Sequence, residues 1–140
     1  EAAALFGSQS IVVSIDCKKK SFFGGYTVTG KSGTEDFKAS PIEFAVRVQN
    51  AGAGEIFLHS IDNDGMMGGF DLKLVSEVSA ALTIPVVAVG GAGTIDHLIQ
   101  GLAAGASAVA AGSMFVFHGK HRAVLISYPD AQQLSLLNKR

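Results

Sequence analysis

Residues 86–93 read Val-Val-Ala-Val-Gly-Gly-Ala-Gly, an apolar β-branched run that breaks into glycines before a helical pattern begins at Thr94. This order is typical of a buried parallel strand that ends in a tight loop at the N-terminus of a helix. Glycine lets backbone N–H groups approach phosphate oxygens closely, and the helix N-terminus adds a favourable dipole. The stretch therefore predicts a phosphate-binding strand end at Gly90 and Gly91.

A second junction of the same kind follows at residues 108–113, which read Ala-Val-Ala-Ala-Gly-Ser. Two such loops in succession are typical of the phosphate site of a β/α barrel, which is built after its last two strands. Gly112 and Ser113 are therefore further candidates for phosphate binding. Gly65, which follows the acidic residues of an earlier loop, is a fifth candidate.

The composition limits the class of protein. The chain has 140 residues, of which 48% are hydrophobic and 16% charged, as expected for one ordered domain with buried strands. A net charge of -1 gives no indication of the excess positive charge typical of nucleic-acid-binding proteins. Each apolar stretch is too short to predict a membrane span. The single cysteine excludes an internal disulfide and favours a cytoplasmic location. Because the chain begins at Glu1, a short gene and a fragment both remain open.

Apolar runs and helical periodicity alternate over about residues 11–118, and residues 119–140 form an atypical tail. The predicted strands are Ile11–Ile15, Glu55–Ser60, a strand that starts at Pro85, and Ala106–Ala111. The first predicted helix has Ser40 as its N-cap and ends at Gly52. The other predicted helices are Leu72–Leu82, Ile95–Ala104 and the short Met114–His118. The polar segment Cys17–Thr34 contains Tyr26–Thr29, which we expect to be one arm of a small hairpin over the site. In the tail, Arg122–Tyr128 is expected to be extended.

Four parallel strands with intervening helices make an α/β domain, the (β/α)4 half of a TIM barrel, over residues 1–140. A half barrel leaves strand edges and one face of a curved sheet uncovered. In so apolar a chain, that face would exceed the apolar surface that monomers usually expose. We therefore expect a second half, which is either a copy of this chain (a homodimer) or a different segment.

Four segments together resemble one family, the cyclase subunit of imidazole glycerol phosphate synthase, an enzyme of histidine biosynthesis. Residues 7–16, Gly-Ser-Gln-Ser-Ile-Val-Val-Ser-Ile-Asp, resemble the fifth-strand motif of that family's barrel. Residues 52–65 resemble its sixth strand and loop, and residues 85–93 and 108–113 resemble its seventh and eighth. The resemblance covers about residues 3–118, in order, and corresponds to the C-terminal half of the barrel. Residues 115–129 are more similar to a paralogous branch that serves surface-polysaccharide amidation.

The resemblance implies a lyase-type cyclase that receives ammonia from a glutaminase partner and joins it to a bisphosphorylated ribulosyl aminoimidazole substrate. No metal and no organic cofactor are implied. Asp16 matches one of the family's two acid–base aspartates, and Asp62 is assigned to catalysis beside it. Asp64 and Thr29 are assigned to other substrate contacts. Glu55 matches a member of the charged ring through which ammonia enters.

The residues themselves support parts of this assignment and leave alternatives open. Asp16 ends an apolar strand, which places it at the catalytic mouth of a barrel, although an aspartate that caps a loop turn is the alternative. The carboxylates of Asp62 and Asp64 could orient a polar substrate, or form part of an ordinary Asp-Gly turn. A calcium loop is disfavoured because its ligand spacing is absent.

Two departures from the family pattern put turnover of the family's substrate in question. The family's loop usually carries Thr after its glycine and often a basic residue between the carboxylates, where this chain has Met66 and Asn63. His59 is expected to fill the barrel wall, and Cys17 to pack on the opposite face of the strand from Asp16. The alternatives to an enzyme are a self-associating half barrel that binds phosphorylated ligands without catalysis, and a non-catalytic interaction module.

Overall fold

The computed structural model describes residues 1–21, 24–31 and 33–137. Its strands are β1 (Val12–Lys19), β2 (Tyr26–Gly30), β3 (Glu35–Asp36), β4 (Glu55–Ser60), β5 (Val86–Val89), β6 (Ala108–Val109), β7 (Phe117–His118) and β8 (Ala123–Val124). Its helices are α1 (Ala2–Phe6), α2 (Pro41–Asn50), α3 (Leu72–Ala80), α4 (Ile95–Ala103), α5 (Ser113–Val116) and α6 (Ala131–Leu137), with a 3₁₀ turn at Ser8–Ser10. Within the described part of the chain, no helix is long and apolar enough to cross a bilayer.

The main sheet has the strand order β3-β2-β1-β4-β5-β6. The pairs β1–β4, β4–β5 and β5–β6 are all parallel, and helices α2, α3 and α4 connect these strands. The predicted α/β class with four parallel strands is therefore confirmed, and the architecture is that of a partial barrel. The strand β4 has the predicted bounds, whereas β6 is shorter than the predicted Ala106–Ala111.

Burial alternates along the strands and gives the sheet two different faces. On the helix side, Ile15, Ile56, Leu58 and Ala88 are buried against the helices, with Val78 of α3 at the centre of the core. Residues of the other parity face the opposite side, where the chain leaves the sheet uncovered. We call this second side the open face; it carries Ser14, Asp16, Phe57, His59, Val87 and Val89, which are exposed or half-buried.

The hairpin after β1 differs from its prediction. The strand β2 pairs antiparallel with β1, with Asp16 opposite Thr29 and Lys19 opposite Tyr26, so β1 continues past the predicted end at Ile15. The hairpin arm thus extends the sheet at its edge and does not fold over the site. Residues 22, 23 and 32 of the predicted polar segment lie outside the described residues.

The tail also contains more structure than the sequence analysis predicted. The strands β7 and β8 form a small antiparallel hairpin, which places an extended stretch where one was expected. The helix α6 then follows, and Leu137 at its end packs against the core. Asp130 and Gln133 form a reciprocal pair of backbone-to-side-chain hydrogen bonds at the start of α6. This capping box fixes a helix that was not predicted.

Asp71 connects the hairpin to the helix α3. Its side chain is 6% exposed. Oδ1 accepts hydrogen bonds from Tyr26 Oη at 2.8 Å and from the Leu74 N–H at 3.2 Å, and Oδ2 lies 3.0 Å from Lys19 Nζ. Burial acts to raise the pKa of Asp71, but the bonds from Lys19, Leu74 and Tyr26 outweigh it, so the pKa lies below its usual value. The burial of the Tyr26 hydroxyl, together with its hydrogen bond to Asp71, raises the pKa of Tyr26.

We expect Asp71→Asn to lower the free energy of unfolding by about 1–3 kcal/mol, because it removes the charge from these bonds. A carboxyl with a lowered pKa stabilises the fold above its unfolded pKa, and this contribution disappears as pH falls. The difference between wild type and variant should therefore be full well above pH 3.8, the usual value, and shrink below it. Urea titrations across pH measure it. The matched control Asp96→Asn, at an exposed position, should cost under about 1 kcal/mol.

Candidate functional site

The strand register brings the carboxyl ends of the parallel strands to one rim. Asp16 of β1 lies opposite His59 of β4, and His59 lies opposite Val89 of β5. The loops that follow Ser60 and Val89 leave the sheet at this same edge. The carboxylate of β1 and the glycine loop after β5 therefore share one rim, as the barrel interpretation requires.

A cavity of 340 Å³ opens at this rim. All five predicted phosphate-binding residues line it, together with Asp64 and His59; they are Gly65, Gly90, Gly91, Gly112 and Ser113. Its apolar wall consists of Phe57, Val89, Ala92, Ala110 and Ala111. The structure thus brings together loops that are far apart in the chain and were proposed on pattern alone. We call this the rim cavity.

The glycines of the rim cavity are of two kinds. Gly90 and Gly91 have φ values of 91° and 105°, and a Cβ on either would lie 2.5 Å or less from a backbone oxygen, that of Ser60 or of Gly69. These two glycines are required by the fold itself, whatever the cavity binds. A Cβ at Gly112 would meet nothing within 4 Å, so this position faces open space.

An imidazole flanked by two carboxylates borders the rim cavity. His59 Nδ1 lies 3.1 Å from Asp16 Oδ1, and His59 Nε2 lies 3.7 Å from Asp64 Oδ2. The side chains of His59 and Asp16 are 23% and 27% exposed. The expectation that His59 fills the barrel wall is therefore incomplete, because its ring stands at the rim. Its even spacing from Glu55 and Phe57 along β4 was the sequence signal for this placement.

The other predicted site residues do not line the rim cavity, and Glu55 does not lie near it. Asp62 Oδ2 accepts a hydrogen bond of 2.7 Å from the Lys19 N–H, which ties the loop after β4 to the end of β1. Thr29 is 5% exposed and its hydroxyl donates to the Asp16 carbonyl at 3.3 Å. Glu55 begins β4 at the opposite end of the open face from His59.

Two further residues complete the description of the rim. Cys17 is buried on the helix side, as expected, and burial together with the charges of Asp16 and Asp71 raises its pKa to about 12. Arg122 of the tail donates to the carbonyl of Gly65 at 2.8 Å. Among residues 1–21, 24–31 and 33–137, no group of three or more His, Cys, Asp or Glu side chains could hold a metal ion.

A protein-family model matches most of the chain. The model of the family described as "Histidine biosynthesis protein" matches residues 1–122. The chain belongs to this family. The match ends close to residue 118, where the predicted βα units end, and so includes every candidate site residue.

Curated relatives in the histidine biosynthesis family cover nearly all of the chain. A Pseudomonas aeruginosa protein provisionally named imidazole glycerol phosphate synthase subunit hisF2 is 56% identical over 132 residues, which are 94% of this chain and 52% of the relative. Imidazole glycerol phosphate synthase subunit HisF of Corynebacterium glutamicum is 43% identical over 122 residues, 84% of this chain and 47% of the relative. The chain spans about half the length of the curated relatives that it matches.

Proposed function

We propose that this chain is the phosphate-binding part of a cyclase of the imidazole glycerol phosphate synthase type. The observation that carries the proposal is the rim cavity, where two strand-end loops and a carboxylate–imidazole pair meet. Membership in the histidine biosynthesis family supports the reaction class. The reaction is a lyase-type cyclisation of a phosphorylated ribulosyl substrate with ammonia.

Backbone N–H groups are the proposed ligands of the substrate phosphate. Within the described residues, the N–H groups of Gly91 and Gly112 donate to no protein acceptor, and both residues line the rim cavity. Ser113 adds a hydroxyl at the first position of α5. Hydrogen bonds to a charged phosphate contribute about 1.5–3 kcal/mol each, which suffices to hold one phosphate group here. Gly65 and Gly90 would shape the remainder of the wall.

The acidic residues at the rim are proposed to handle protons and orient the substrate. Asp16 would act in acid–base catalysis beside His59, and Asp62 would support it from the loop after β4. Asp64, whose side chain is 61% exposed, would contact the substrate directly. Thr29 would hold the backbone of Asp16 in place through its hydroxyl bond.

Ammonia from a glutaminase partner is proposed to enter at Glu55. This residue lies at the far end of the open face, on the same side of β4 as His59. A molecule that entered there would cross the open face to reach the rim cavity. The proposal for the partner depends on the family resemblance.

A second half barrel is proposed to cover the open face. Val12, at the start of this face, is 55% exposed, although it belongs to a central strand of the sheet. The cover would be either a second copy of this chain or another segment of a longer protein. Self-association without catalysis is therefore the second candidate function, and light scattering over a range of concentrations tests it.

A reducing cytoplasm suits the buried free thiol of Cys17.

Inorganic phosphate tests the proposed site by thermal unfolding. At ten times its Kd, phosphate should stabilise the protein by about 1.4 kcal/mol, which raises Tm by about 5 °C. Gly112→Asp should abolish this shift because it places a negative charge in the open space next to the free N–H groups. The matched control Gly112→Ala adds a methyl group without charge and should keep most of the shift. No stabilisation of the wild type would reject phosphate binding.

A further inference from the structure

His59 is the group of the Asp16–His59 pair that borders the rim cavity. The ring of His59 lines the cavity, whereas Asp16 is not among the lining residues. Asp16 Oδ1 lies 3.1 Å from Nδ1, on the side of the ring away from Nε2. A molecule in the rim cavity would therefore meet the imidazole first, with the carboxylate behind it.

The two nitrogens of the ring have different surroundings. An ionised carboxylate can only accept hydrogen bonds, so the nitrogen that faces Asp16 carries the proton in the neutral ring. Nε2 then has the free lone pair. At 3.7 Å from Asp64 Oδ2, it is too far from that carboxylate for a hydrogen bond. Nε2 is thus available to a bound molecule.

The fold reserves space for this ring. A Cβ at Gly90 would lie 3.2 Å from His59 Cδ2, which is closer than side chains normally pack. Glycine at this position therefore leaves the imidazole its place as well as allowing the loop its positive φ. The ring is held between Gly90 on one side and the carboxylate of Asp16 on the other.

We propose that His59 is a further acid–base group of this site, acting together with Asp16, whose carboxylate also holds the ring in the required tautomer. The proposal rests on the proposed function because it requires the rim cavity to hold the substrate. In the forward step, the Nε2 lone pair takes a proton from an N–H or O–H group of the bound molecule. That bond breaks and leaves its electron pair on the substrate atom, while the ring becomes a cation between two carboxylates. In the return step, Nε2 gives the proton back to a substrate atom and the ring is neutral again.

His97 provides an internal control because its ring is expected to carry the proton on the other nitrogen. Its Nδ1 accepts a hydrogen bond from the Gly93 N–H at 3.2 Å, so its neutral ring must carry the proton on Nε2. His59 and His97 are therefore expected to be opposite tautomers in the same molecule.

Two-bond ¹H–¹⁵N correlation NMR at pH 8.5, where ordinary imidazoles are neutral, tests the assignment. We expect the proton on Nδ1 in His59 and on Nε2 in His97. Asp16→Asn offers His59 an amide that can donate, so the His59 proton should move to Nε2 in most molecules while His97 is unchanged. An unchanged His97 signal also shows that the variant is folded. A wild-type His59 with its proton on Nε2 would overturn the proposal.

Acylation by diethyl pyrocarbonate, mapped by mass spectrometry, separates this proposal from phosphate binding. The reagent attacks free imidazole nitrogens, so His59 should react, and saturating inorganic phosphate should slow that reaction at least threefold. Exposed His118 should show no protection. Loss of protection with the Nδ1–H tautomer intact would reject phosphate binding and leave the acid–base assignment standing. Protection with the wrong tautomer would overturn the acid–base assignment alone.

Discussion

Under the proposed function, Asp16→Asn should lower the rate of ammonia-dependent turnover of the ribulosyl aminoimidazole substrate by about 10²–10⁴-fold, the range typical of a lost acid–base group. The substitution keeps the shape of the side chain but removes its negative charge. The ring of His59, 3.1 Å away, then loses the charged, acceptor-only partner that fixes its proton on Nδ1. Because the loss concerns proton transfer and not binding, kcat should fall far more than KM changes.

Glu43→Gln is the matched control for this experiment. It makes the same carboxylate-to-amide change at an exposed position in the first turn of α2. Its rate should equal that of the wild type within about twofold. Equal rates for Asp16→Asn and wild type would remove both Asp16 and the pair it forms with His59 from the mechanism.

Gly91→Ala should lower the free energy of unfolding by about 2–4 kcal/mol, the largest effect on stability that we expect from a single added methyl group. Gly91 has a φ of 105°, and its Cβ would lie 2.1 Å from the Gly69 carbonyl oxygen. That oxygen cannot move without disturbing the loop, because the Gly69 N–H donates to the Gly91 carbonyl at 2.8 Å. Urea denaturation measures the loss.

Gly112→Ala adds the same methyl group where nothing lies within 4 Å, and at a negative φ of -121°. It should change stability by less than about 0.5 kcal/mol. The pair of variants separates a glycine that the fold requires from one that leaves the cavity open. Equal losses in the two variants would contradict this division of the glycines.

The parallel strands were predictable because residues within each strand and its flanking loops are enough to indicate a buried strand. The apolar run between Gly54 and Ile61 gave β4 its observed bounds, and the runs that end in Asp and Gly placed Asp16 and Gly91 on one rim. The helix α2 was equally clear, since Ser40 and Pro41 mark its start. These signals depend on residues close together in the chain, so the sequence alone reveals them.

The remaining features depend on contacts between distant residues or on signals that were overlooked. The length of β1 is set by its pairing with β2, and the position of Arg122 by the carbonyl of Gly65, 57 residues away. No local pattern reports such partners. The capping box of Asp130 and Gln133, in contrast, is a local signal for α6 that the extended appearance of the preceding stretch obscured. Only the folded structure shows which carboxylate lies next to each ring nitrogen of His59.

Titration of the ¹⁵N-labelled protein with inorganic phosphate, followed by amide NMR, tests the central claim most directly. We predict that the largest shifts occur at Gly91, Gly112 and Ser113, and that the His59 ring signals move with the same Kd. The internal comparison is the lysine-lined hollow of 150 Å³ beside Tyr26, which also presents positive charge. Shifts confined to Lys19, Lys20 and Lys73 in that hollow, with the rim cavity unaffected, would contradict the account.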